Sequence, residues 1–368
     1  MTTTLGKDND RAAEYCTYCP KLCRFNCPVA EAEHRETVTP WGLMRLTHLL
    51  RTEAVEPSEA LAEVLHHCTG CRRCETWCAH HNDVPAALWA ARGMLHDAGH
   101  TPEVVDAFIG TFDAHGAPAP QPALDAEDVA EIFDPESDIA YFPDCGTRAH
   151  DPELVLRVGM LLEHLIGRKV RLSTPTGCCG APLLAAGDRL GFEHQRRLFE
   201  EAHADVALVL TDCAEVTALY REGTSHGEPR EVEVRHLIEL IAELGPDTEP
   251  EAQIEADGLV LHDSCTLGRQ LQLYDQTRVV AGLIFGDSAA ELHLSRDQAT
   301  CCGAGGLYPI VAPEGSDACA RALLEQTELE GGDAIICGQG GCARKLRQVS
   351  GEDVAMDLIE AACMAYGF

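Results

Sequence analysis

Cys16, Cys19, Cys23 and Cys27 form the run C-x2-C-x3-C-x3-C, with Pro28 directly after it, and Cys68, Cys71, Cys74 and Cys78 form C-x2-C-x2-C-x3-C. Nothing else in the 368 residues constrains the fold as strongly, because thiols spaced this closely must converge on a compact centre. Nineteen cysteines are present in all. In a reducing compartment, where disulfides are not maintained, such a count points to metal ligation or redox turnover rather than to cross-linking.

The second spacing is that of the bacterial ferredoxin run, in which three thiolates bind one [4Fe–4S] cube and the fourth reaches the neighbouring cluster. Two runs therefore predict two cubes. By the crossed rule, Cys16, Cys19 and Cys23 share a cluster with Cys78, and Cys68, Cys71 and Cys74 share one with Cys27. A zinc ribbon needs four ligands, usually in two knuckles separated by a longer loop, and suits two tight quartets poorly. The first run carries one extra residue between Cys19 and Cys23 (Pro20, Lys21, Leu22), and Ala79 stands where a proline would close the second.

Around the quartets, residues 41–50, 60–67 and 84–99 have helical apolar spacing, so residues 1–112 read as a helical two-cluster module. Residues 113–137, rich in Pro, Ala and acid, read as an exposed linker. The rest repeats itself. A strand leads to Cys145, a helix covers 154–167, Cys178 and Cys179 follow, and a strand leads to Cys213; the second copy presents Cys265, the pair Cys301 and Cys302, a helix over 317–329, then Cys337 and Cys342. Cys145 and Cys265 are 120 residues apart, Cys178 and Cys301 123, and Cys213 and Cys337 124. The expected fold is α+β and multidomain, with pseudo-symmetric α/β lobes at 138–250 and 251–368 and the cysteines at the carboxyl ends of strands.

Four thiols per lobe can hold one further iron–sulfur cube or one zinc, or can act as bare thiol–disulfide centres. Gly177, Gly180, Gly303, Gly305 and Gly306 are expected to let the backbone approach such a centre closely. Cys319 and Cys363 read as packing residues. His262, three before Cys265, and His150, five after Cys145, are placed to donate protons or to hydrogen-bond a sulfur. Arg148, Arg269 and Arg344 read as surface ion pairs or as offsets to cluster charge.

Two ferredoxin quartets followed by two C…CCG…C lobes resemble the CCG-domain iron–sulfur family, which includes heterodisulfide reductase catalytic subunits and the iron–sulfur subunits of glycolate, lactate and anaerobic glycerol-3-phosphate dehydrogenases. The resemblance runs from Cys16 to Cys342. It implies a C-x-x-C after each CCG, and five thiols per lobe holding a noncubane [4Fe–4S] cluster that cleaves a disulfide. In this chain Val216 replaces the closing cysteine of the first lobe; Gly340 stands at that place in the second, with Cys342 two residues on. A four-thiolate cube fits the remaining cysteines better.

Sixty acidic residues against 28 Lys plus Arg leave a formal charge of −32, and only Lys7, Lys21, Lys169 and Lys345 are lysines. Such a surface repels nucleic acid and anionic lipid, and fits either high-salt adaptation or plain solubility. The chain shows no membrane span, signal-peptide core, dinucleotide fingerprint or Walker loop, so a cytoplasmic protein supplied with electrons by another protein is expected. The favoured reading is an electron-transfer subunit; the resemblance implies a flavoprotein dehydrogenase or other redox subunit on one side and a quinone or membrane subunit on the other. A disulfide reductase using a cluster in the lobes, and a structural metal-binding platform, are the alternatives.

Overall fold

The computed structural model describes residues 7–174, 177–221, 232–255, 257–329 and 333–368. The helical segments form where the apolar periodicity places them. Pro40–Arg51, Glu59–Leu65 and Val84–Asp97 each begin at a side-chain cap, Thr39, Ser58 and Asp83 accepting from the backbone N–H groups of Gly42, Leu61 and Ala86. Together with Lys7–Thr17 they enclose a core of Leu43, Met44, Leu65, Leu88 and Leu95.

Two four-stranded parallel sheets follow. The first contains β1 (Ile139–Tyr141), β2 (Arg171–Leu172), β3 (Leu208–Thr211) and β4 (Val234–His236), in the order β2-β1-β3-β4. The second contains β5 (Leu259–His262), β6 (Ala289–Glu291), β7 (Ala334–Cys337) and β8 (Ala355–Asp357), in the matching order β6-β5-β7-β8. The sequence repeat is thus a repeat of topology. The lobes do not have separate cores throughout: residues of Pro152–Ile166, Leu237–Thr248, Tyr274–Phe285 and Leu358–Ala365 share one apolar cluster drawn from both lobes.

Three details differ from the sequence reading. Strand β1 stops at Tyr141, and Cys145 opens a short helix (Cys145–His150) capped by Asp144 rather than ending a strand. The helix Glu103–His115 sends Val105, Phe108 and Phe112 into the first lobe's core. The linker is laid along that lobe rather than standing free: Ala117 is buried, and the Gln121 amide donates to the Gly177 carbonyl oxygen at 2.8 Å. Its polar composition suggests exposure because most of its side chains do face solvent while its backbone is held.

Candidate metal centres

Cysteines of the two runs interleave around two cavities. Cys16, Cys19, Cys23 and Cys78 line one cavity of about 210 Å³, together with Tyr15, Trp41 and Trp77. Cys27, Cys68, Cys71 and Cys74 line a second, tighter one, and Cys74 also reaches the wall of the first. The extra residue of the first run is absorbed locally. Lys21 takes a left-handed conformation (φ 69°), starts the 3-10 turn Leu22–Asn26 and sets its ammonium 3.7 Å from the centre of the Trp41 ring.

These cavities fit iron–sulfur clusters in the chemistry of their donors. Burial pushes the thiols up, Cys16 to about 12 and Cys23 to about 11, with further upward pressure from neighbouring thiols, so metal must displace protons as it binds. Donors already point at several sulfurs: Asn82 Nδ2 lies 3.2 Å from Cys16 Sγ, the Gly70 N–H 3.4 Å from Cys68 Sγ and the Ala30 N–H 3.5 Å from Cys27 Sγ. Such bonds tune cluster potentials. Asn82 carries no signal in the cysteine spacing, and sequence reasoning missed it.

In the first lobe the loops after β1, β2 and β3 bring together Cys145, Cys178, Cys179 and Cys213, linked by thiol hydrogen bonds. The second lobe brings together Cys265, Cys301, Cys302 and Cys342 in the same manner. In each lobe the second member of the vicinal pair, Cys179 or Cys302, accepts from two thiols, which holds its own thiol low and pushes the donors up.

Strand register corrects one assignment. β3 ends at Thr211 and β7 at Cys337, so Gln339 stands where Cys213 stands, two residues past the strand, and Cys342 stands where Val216 stands, five residues past it. Cysteine order alone matches Cys337 to Cys213 and puts Gly340 at the closing position. Cys342 occupies that position, on the first turn of the helix Gly340–Ser350, and Cys337 is an additional thiol inside the sheet.

The glycines serve protein contacts. A Cβ on Gly305 would strike the Thr69 carbonyl oxygen, one on Gly306 would lie 2.8 Å from that of Cys68, and one on Gly177 would lie 2.6 Å from Ala117 Cβ. The second lobe's CCG loop is therefore pressed against the cysteine module and the first lobe's against the linker. Arg269 is no free surface ion pair either: it is half-buried, and its guanidinium donates to the carbonyl oxygens of Cys71 at 2.6 Å and Ala299 at 2.9 Å. Arg344 pairs with Asp144 at 3.1 Å across the two lobes. Glu215, which the cysteine pattern does not flag, also spans them, accepting from Gln339 at 2.6 Å and Thr266 at 3.3 Å and lying 3.7 Å from Cys213 Sγ. His150 is exposed, His262 is buried, and Cys319 and Cys363 are buried in apolar clusters.

Residues 139–215 and 259–347 match the CCG family, described as a cysteine-rich domain, and residues 12–82 match the 4Fe-4S dicluster domain. The chain belongs to the CCG-domain iron–sulfur proteins. This CCG-domain protein is 23% identical to a dihydromethanophenazine:CoB–CoM heterodisulfide reductase subunit from Methanosarcina mazei, over 96% of this chain and 93% of that one. It is 26% identical to the EtfAB:quinone oxidoreductase of Syntrophomonas wolfei, over 72% of this chain and 40% of that protein. A 77-residue stretch is 39% identical to the probable iron-sulfur-binding oxidoreductase FadF of Bacillus subtilis, 21% of this chain and 11% of that protein. Iron–sulfur clusters are thus the cofactor class of this CCG-domain protein, and redox electron transfer its class of function. Among the described residues no helix is long and apolar enough to cross a membrane.

Proposed function

We propose that the chain is the iron–sulfur electron-transfer subunit of an oxidoreductase, with its eight N-terminal cysteines holding two [4Fe–4S] clusters as the cavities group them. The clusters supply one-electron storage; the protein supplies their placement and insulation. The observation that carries this reading is the contrast between the two cavities. Tyr15, Leu22 and Trp77, 41–58% exposed, line the outer one, and Tyr18 and Phe25 of the same cysteine run are 81% and 79% exposed; the five are half of the exposed large apolar side chains among the described residues. At the inner one, Cys71 is hydrogen-bonded to Cys301 of the second lobe. One end faces a partner and the other faces the chain's own terminal body.

Cations lie among the outer aromatics, Arg11 against Tyr15 and Arg24 against Phe25, on a molecule that is otherwise strongly acidic. That suits a partner with an acidic rim around its redox group, and a flavoprotein dehydrogenase or electron-transferring flavoprotein is the partner we favour, with quinone or a membrane subunit completing the chain of transfer. The lobe cysteines take further metal. Disulfide reduction in the lobes is less well supported, because Cys178, Cys179, Cys301 and Cys302 are each no more than 3% exposed.

Anaerobic stopped-flow mixing with reduced electron-transferring flavoprotein tests the reading. Bleaching of the visible absorbance is expected, slowed at least tenfold in a Phe25→Ser, Trp77→Ser variant whose iron content is unchanged. Equal rates in both proteins would remove the docking face, and no bleaching with chemically reducible clusters would remove the proposed partner.

A further inference from the structure

Three arginines gather around the inner cysteine group. Arg73 stands between Cys71 and Cys74 in the chain and is 7% exposed. Arg92 is 1% exposed; it belongs to the helix Val84–Asp97, whose first residues Val84 and Pro85 line the inner cavity, and it donates to the carbonyl oxygens of Leu65 at 2.9 Å and Ala185 at 2.7 Å. Arg269 reaches the Cys71 carbonyl oxygen from the second lobe. Each of the three has a buried guanidinium nitrogen with no hydrogen-bond partner, Arg73 Nε, Arg92 Nη2 and Arg269 Nη2. Among the described residues one further arginine nitrogen is in that state, Arg51 Nε, and its side chain has the Asp10 carboxylate 3.6 Å away.

Among the described residues Arg73, Arg92 and Arg269 form no ion pair, and the bonds that Arg92 and Arg269 make all run to carbonyl oxygens. The neighbouring acids are otherwise engaged: Asp83 pairs with Arg72 at 2.9 Å, Glu33 pairs with Arg35 at 3.0 Å, and Glu31 is exposed to water. Burial pulls Arg92 down only to about 10, so it stays charged at neutral pH. A buried charge without a partner is costly, and three at one place call for an anion between them. The thiolates of a bound cluster are that anion; Cys68, pushed up by burial, has Arg92 as its strongest opposing influence. The outer group has no counterpart, since among the described residues no Lys or Arg lines its cavity and Lys21, over the Trp41 ring, is only half-buried. Reduction makes a cluster more negative by one unit, so fixed positive charge beside it favours the reduced form.

We infer that Arg73, Arg92 and Arg269 set the inner cluster at a higher reduction potential than the outer one, so that an electron entering at the exposed aromatic face runs inward to the second lobe. The three act through the cluster's thiolates and are positioning residues, not catalytic ones. The inference deepens the electron-transfer reading and rests on it.

Potentiometric titration of the anaerobically reconstituted full chain, followed by electron paramagnetic resonance, reads each cluster, and the signal lost in Cys27→Ser marks the inner one. In the wild type the inner signal should appear first on reduction. Arg92→Gln and Arg269→Gln, at wild-type iron and sulfide content, should each lower the inner cluster's reduced-to-oxidised ratio at a fixed potential at least tenfold, about 59 mV for one electron, and leave the outer signal in place. Arg92→Lys and Arg269→Lys should keep that ratio within about threefold of the wild type, because they keep the charge. Should one glutamine variant fail to hold iron, the other carries the same comparison. An outer signal that appears first in the wild type, an inner signal unmoved in the glutamine variants, or lysine variants that fall as far as the glutamine ones would overturn the inference. Clusters that bleach with reduced flavoprotein but titrate in the reverse order would overturn it alone. Clusters that titrate inner first but do not bleach would leave it standing and sink the proposed partner.

Discussion

Cys71 and Cys301, 230 positions apart in the chain, share a thiol hydrogen bond, and Thr69 Oγ1 lies 3.5 Å from the Cys301 sulfur. That bond, with help from the Arg269 charge, holds the Cys71 thiol down at about 5 and pushes Cys301 up. The inner cysteine group of the module and the second lobe are therefore one continuous polar seam.

Because the seam depends on a close backbone approach, a single methyl group should open it. Gly305→Ala drives a Cβ into the Thr69 carbonyl oxygen, and overpacking of this kind costs on the order of 1–3 kcal/mol. Gly110→Ala, inside the helix Glu103–His115 with nothing within 4 Å of the new Cβ, should instead stabilise by roughly 0.5–1 kcal/mol. Thermal unfolding of the two variants should move in opposite directions, and parallel shifts would refute the packing argument.

Crossed ligation makes a pairing prediction. Cys27→Ser and Cys71→Ser should abolish the same electron paramagnetic resonance signal of the reduced protein, each with the loss of about four irons, while Cys78→Ser should abolish the other. If Cys27→Ser and Cys23→Ser proved to share a signal, each run would hold its own cluster and the cavity grouping would be wrong.

Acid sensitivity should trace in part to His236. It is fully buried, caps the helix Leu237–Thr248 by accepting from the Ile238 N–H, and is held down to about 4 by burial. The unfolded chain takes up this proton near pH 6.5 and the folded one only near 4, so its neutral form contributes stability above 6.5 that is lost as pH falls towards 4, at most about 3 kcal/mol. Asp212 behaves oppositely, pushed up to about 7 by burial, so the wild-type profile alone is ambiguous. His236→Asn keeps a capping acceptor, and subtracting its denaturant profile from the wild type should leave a difference that grows between pH 6.5 and 4. A flat difference would show that the histidine is not buried neutral.

Much of this is legible in the cysteine spacing, for a physical reason. Tight ligand runs specify a site locally, so the grouping of Cys16 with Cys78 and of Cys27 with Cys74 follows from the motif alone. The α/β repeat is legible too, because strand, loop cysteine and helix recur in order. What spacing cannot carry is contact between distant segments. Gln339 taking the place of Cys213, Glu215 bridging the lobes, and Gly305 serving Thr69 all depend on strand register and docking, which the cysteine pattern does not encode. The linker misleads for the same reason, since composition reports solvent-facing side chains and not the bond from the Gln121 amide to the Gly177 carbonyl oxygen.

The most direct test is iron and sulfide analysis of anaerobically reconstituted protein, followed by electron paramagnetic resonance during stepwise reduction. The account predicts about eight irons and eight sulfides in the N-terminal module, with two one-electron signals that broaden each other when both are reduced. Colourless, iron-free protein after reconstitution, or a single isolated signal, would contradict it.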